Sequence, residues 1–189
     1  MSNSSSKRSI GFFSKINISG IIKNHFGTLK NYGSNNYSVS NILLFFVAPL
    51  ASSIVAVYAF KLSLNKDVIG ILINVFSIFA GLLFNLLVLV YDVISKVVKP
   101  NSTFQSNNLK INLLEEIYFN ISFEILLSLF NVLLLAFASL FQQELINSIL
   151  SIFVFWFVIL FSLTLLMVLK RVHKLLSDEI EQQRKSINP

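Results

Sequence analysis

The sequence predicts an all-α polytopic membrane fold, with four transmembrane helices arranged as two antiparallel hairpins. Three observations lead there. Of the 189 residues, 54% are hydrophobic and only 13% charged, with mean hydropathy +0.73, whereas about a quarter of a soluble domain is charged. Four apolar runs are each long enough to cross a hydrocarbon core about 30 Å thick, which takes roughly 20 residues of helix. The 15 lysines and arginines, set against 9 acids, alternate between dense and sparse loops as such a topology requires. So many apolar runs in a short chain leave too little polar surface to cover them in water.

Residues 1–41 form a basic N-terminal segment holding Lys7, Arg8, Lys15, Lys23 and Lys30 and no acid. Residues 1–9, rich in Ser and Asn, are expected to be disordered. Ile18, Ile21, Ile22, Phe26 and Leu29 then recur at helical spacing. That spacing predicts a short amphipathic helix in the headgroup layer, its lysines toward anionic lipid. A loosely ordered basic leader is the alternative. Gly33-Ser34-Asn35-Asn36 reads as a joint into the first span.

The transmembrane domain runs over 42–169. The first span, 42–60, is uncharged and starts too late to be a signal peptide, so it is expected to be retained. Pro49 within it lacks an N–H and leaves the Phe45 carbonyl free. The second span, 68–91, is closed by Asp92, with Lys96 one turn on as its ion-pair partner. The brief connection from Lys61 to Asp67 predicts that spans one and two are antiparallel neighbours. An inner loop broken at Pro100 leads to a helix from Leu109 that enters the third span, 117–141. Gln142-Gln143-Glu144 turns the chain into the fourth span, 145–169. That helix is expected to continue into the tail, 170–189, along Val172, Leu176, Glu179 and Ile180.

Thirteen basic residues fall on the side of the termini and two on the other, which predicts cytoplasmic N- and C-termini in an inner membrane. Lys15, Lys23, Lys30, Lys170, Arg171 and Lys174 are the expected membrane-surface cations. Topology accounts for these charges, so no direct nucleic-acid partner is expected.

Polar residues inside the spans carry the functional signal, because in hydrocarbon they normally face protein or water. Gly70, Asn74, Ser77, Gly81, Asn85 and Asp92 share one face of the second span, and Asn120, Glu124, Ser128, Asn131, Ala138 and Gln142 one face of the third. These stripes are expected to meet each other, another subunit, or water. Ser77 and Gly81 form a small-xxx-small spacing suited to close helix contact. Counting residues inward puts Pro49, Asn85, Glu124 and Ser162 at one level, which predicts a polar layer. Glu124 is open to three readings: interfacial, structural and buried, or ion-handling.

Catalysis finds no support. Cysteine is absent, and His25 and His173 are far apart in sequence, which excludes thiol chemistry and makes a His-based metal or acid–base site unexpected. Glu115 and Glu116 are adjacent and diverge by about 100° on a helix. No Gly-rich phosphate loop or nucleophile elbow occurs, and no cofactor is expected.

Basic cytoplasmic tails, tiny outer hairpins, and polar Asn85 and Glu124 within spans give the chain a format that resembles small four-span bacterial inner-membrane subunits. These include subunits of phage-defence operons such as the Kiwa membrane component. Four-span drug exporters carry their membrane glutamate in the first span, and 42–60 has none. The resemblance implies a role in antiviral defence. The expected function is therefore a non-enzymatic homo-oligomer that acts as sensor, anchor or effector with a cytoplasmic protein partner. The alternative is a pore or ion-conducting assembly with Glu124, Asn85 and Asn131 on a central path.

Overall fold

The computed structural model describes residues 18–29, 43–97, 104–140 and 143–187. Lys15, Lys30, the joint at Gly33–Asn36, Pro100 and Gln142 lie outside the described residues. Every element among the described residues is helical: α1 (Ile18–Gly27), a π-helical turn (Leu43–Val47), α2 (Ala48–Tyr58), α3 (Lys66–Val97), α4 (Phe104–Ala138) and α5 (Glu144–Ile187).

Local chemistry sets the boundaries. Pro49 has no N–H to return to Phe45, and the backbone widens into the π-turn just before it. Lys61, with φ 53°, reverses the chain after α2, and the Leu62 N–H returns to the Ala56 carbonyl at 3.1 Å. Asn65 caps α3, its side-chain oxygen accepting the Val68 N–H at 2.8 Å, with Asp67 in the first turn favoured by the helix dipole. At the other end Lys96 donates to Asp92 at 2.6 Å, the border pair expected from their spacing.

Among the described residues three segments are long and apolar enough to cross a membrane: Lys66–Lys96, Lys110–Ala138 and Glu144–Glu181. The π-turn and α2 together, Leu43–Tyr58, form a shorter apolar helix of about 24 Å, less than the hydrocarbon thickness. α4 begins at Phe104, ahead of the expected Leu109, and α5 runs unbroken to Ile187, as the tail's apolar stripe anticipated.

α4 is the hub. It packs against α1, α3 and α5, while α2 packs on the outer side of α5. The expected pairing of the first two spans is not what forms: among the described residues α2 lies against α5 and makes no backbone-level contact with α3. The reason is in the connection. Leu64 is buried and donates its N–H to Ser151 Oγ of α5 at 3.2 Å, which draws the loop across α5. Seven extended residues reach roughly 23 Å, enough to pass a helix when neighbouring axes lie 8–10 Å apart.

α3 is fixed by a seam of Ile69, Phe76, Leu83 and Val90, all buried at seven-residue intervals. Phe76 and Phe79 meet Phe161 of α5 edge-on, with ring centroids 5.2 and 5.4 Å apart. α1 forms where the spacing placed it, but it docks on α4 rather than resting only on lipid. Phe26 stacks on Phe46 at 5.1 Å and Leu29 is buried, while Ile18, Ile22 and Lys23 remain exposed.

Candidate functional site

α4 turns its polar face into the bundle. Asn120, Glu124, Ser128 and Asn131 follow one another at helical steps, and each has 0% exposure. Glu124 is enclosed by protein, eight residues or about 12 Å along α4 from Glu116. Thr164 of α5 approaches its carboxyl and is itself buried.

The donors around Glu124 are committed elsewhere. Ser128 donates to the Glu124 carbonyl at 2.8 Å, Asn131 to the Leu127 carbonyl at 3.1 Å, and Thr164 to the Leu160 carbonyl at 3.0 Å. Both hydroxyl protons and one of the two Asn131 amide protons thus return to their own helix. Both Glu124 carboxyl oxygens and Asn131 Oδ1 are left buried with no hydrogen-bond partner among the described residues. A bare carboxylate in such surroundings is heavily penalised, so this file of acceptors calls for a proton, a cation or a donor molecule. One turn past Asn131, Leu135 is fully buried, and the file ends blind among apolar side chains.

The other end is closed by α1. His25 is fully buried and lies flat on Phe123, ring centroids 3.8 Å apart with 5° between planes. Its Nδ1 and Thr28 Oγ1 both lie 2.9 Å from the same side-chain atom of Asn120, while Thr28 Oγ1 also donates to the His25 carbonyl at 2.7 Å. One hydroxyl proton cannot fully serve two acceptors. With Nδ1 protonated, His25 donates to Asn120 Oδ1, and the Thr28 hydroxyl is shared between that oxygen and the His25 carbonyl. Burial lowers the His25 pKa from 6.5 to about 4; the Asn120 bond opposes that shift and the Arg171 charge adds to it.

Arg171 is the fastening. Its Nη2 donates to the Thr28 carbonyl at 2.9 Å and its Nε pairs with Glu116 Oε2 at 3.0 Å, joining α1, α4 and α5. The sequence marks Arg171 as a membrane-surface cation. It is instead a part-buried clamp, because Glu116 and the end of α1 offer it charge-assisted bonds. Lys23, Lys170 and Lys174 are exposed.

The two polar stripes do not meet. Gly70, Asn74, Ser77, Gly81, Asn85 and Asp92 are all exposed, on the side of α3 turned away from its buried seam. Asn85 and Asn131 therefore share no path inside one chain, and Ser77 and Gly81 serve no helix contact within it. The expected polar layer does not form either: Asn85 and Ser162 face outward while Pro49 and Glu124 face inward. Equal depth says nothing about azimuth.

Sequence reasoning treated His25 as isolated. Its signal was available, since at 100° per residue it falls in the middle of the Ile18–Ile21–Ile22–Leu29 stripe, where a polar side chain is out of place. Among the described residues no three His, Cys, Asp or Glu side chains group as a metal site. Comparison with protein-family models, curated proteins and solved structures gives no match.

Proposed function

We propose that this chain is a non-enzymatic, oligomeric subunit of a bacterial inner membrane that links a cytoplasmic event to its buried polar file. α1 is the latch, and the Asn120–Glu124–Ser128–Asn131 file is the element that responds. In this reading Leu43–Tyr58 and its flanking residues make a fourth span, and both termini face the cytoplasm with the basic residues. A cytoplasmic protein partner acts on α1 or on the tail, and anionic lipid holds Lys23, Lys170 and Lys174. Phage defence is the setting that the four-span format suggests.

One observation carries the reading: the helix outside the spans is fastened, through polar side chains, to the head of a file whose central carboxyl has no partner. Undocking α1 opens the Asn120 end to water. The partnerless atoms deeper in the file, Glu124 Oε1 and Oε2 and Asn131 Oδ1, are all acceptors. The response is thus the passage of protons or small cations, which requires that release of α1 also part the apolar end of the file at Leu135; with α1 docked the file is shut.

Flux from liposomes holding the purified full-length protein tests this. The unaltered protein should be tight, Arg171→Ala leaky to protons or K+, and Arg171→Ala with Glu124→Gln tight again. If protease digestion shows α1 released in Arg171→Ala and no leak follows, conduction is excluded.

A further inference from the structure

We infer that the outward face of α3 is the surface on which a second copy of this chain docks, in parallel, through Asn74, Ser77, Gly81 and Asn85. This rests on α3 crossing the bilayer, as proposed above. Asn74 and Asn85 each lie six residues inside the apolar segment 68–91, about 9 Å from its borders, and both are exposed with no hydrogen bond among the described residues. Lipid tails cannot satisfy these amides.

Three features select a copy of the same chain as the occupant. A primary amide both donates and accepts, so it pairs with itself across a two-fold axis, and copies inserted in one orientation bring each Asn to its own counterpart. Between the amides the surface is low. A Cβ added at Gly70 or Gly81 would meet nothing within 4 Å, which leaves room for a neighbouring backbone. The spacing of Asn74 and Asn85 is an 11-residue repeat, 3.67 residues per turn, which matches the right-handed crossing of small-xxx-small helix pairs. The face ends in the neutral pair Asp92–Lys96, so two copies meet there without like-charge repulsion.

The chain has no cysteine, so single cysteines report contacts directly. In membranes, Ser77→Cys and Gly81→Cys should form disulfide-linked dimers on mild oxidation. Val75→Cys and Val93→Cys, exposed on another azimuth of α3, should not. Adding Asn74→Leu and Asn85→Leu to Ser77→Cys should weaken association about tenfold, since two interhelical amide bonds are removed. Equal cross-linking at all four positions, or a solubilised particle of monomer mass, overturns the inference and leaves the face to lipid or to a different protein. Carbonate extraction on the same samples shows separately whether α3 is inserted, so failure of the membrane reading is told apart from failure of the interface.

Discussion

Acidification from pH 7 to pH 5 is expected to loosen α1, and the size of the effect follows from His25. An exposed histidine titrates near 6.5, whereas docked His25 is held down to about 4, first by burial and also by the Arg171 charge, against the Asn120 bond. Between those values the free helix takes up a proton that the docked helix refuses. Docking is therefore at full strength above pH 6.5 and weakens by about 1.4 kcal/mol per pH unit as the pH falls toward 4, by about 3 kcal/mol in all. From pH 7 to 5 the loss is about 2 kcal/mol, a roughly twenty-fold rise in the undocked population. Arg171 from α5 is the charge that acts on the ring, and Glu116 from α4 pairs with Arg171. An environment-sensitive dye on Lys23→Cys, which is exposed on α1, would read docking in the full chain held in nanodiscs. His25→Gln should flatten the response, and Glu116→Gln should keep it. A wild-type signal that does not change over this range, or an undiminished response in His25→Gln, refutes the reasoning.

Glu124→Leu should stabilise the protein in detergent by on the order of 1–3 kcal/mol, seen as a higher thermal midpoint, because it removes two buried acceptors without partners; a lower midpoint would mean that the carboxyl has a stabilising companion. Arg171→Lys should release α1 nearly as fully as Arg171→Ala, measured by protease cleavage after residue 29, because one ammonium cannot reach both the Thr28 carbonyl and Glu116 in the guanidinium's forked geometry. Phe76→Ala should destabilise the bundle by about 3–5 kcal/mol in a denaturing-detergent titration, since Phe76 is 2% exposed and packed on Phe161. Asn74→Ala, on the outward face of the same helix, should change the stability of the isolated protomer by less than about 0.5 kcal/mol.

Hydropathy located the long helices well because length and apolarity are local properties. The start of α3 and the run of α5 beyond residue 169 were legible for that reason, while α3 continues to Val97, past the expected end at 91. Azimuth was legible only in part. The grouping of Asn120, Glu124, Ser128 and Asn131 on one face was correct, and so was that of Asn74, Ser77, Gly81 and Asn85, but which face turns inward depends on neighbours that the pattern does not name. In water the apolar seam would be the only candidate for burial. In lipid a polar stripe competes with it: the stripe on α4 is buried, and that on α3 is not. Neighbour order was read from loop length, and that failed because Leu64 and Ser151 tie the first connection to α5. Arg171 was assigned from charge near a span end, a rule that cannot see Glu116 on another helix.

Opposite placement of the two polar stripes bears on the kind of assembly. In a pore built on a symmetry axis, Glu124 and Asn85 would line one path. Here Glu124 is enclosed between α4 and α5, while Asn85 is on the far side of α3 from the seam of Ile69, Phe76, Leu83 and Val90. Two copies meeting through α3 would put Asn85 at the axis and leave each Glu124 inside its own protomer. Conduction and assembly then fail separately: Glu124→Gln should stop flux in a particle of unchanged mass, and Asn85→Leu should reduce the mass while an opened protomer still leaks. Loss of both properties from either substitution alone would return the two residues to a shared path.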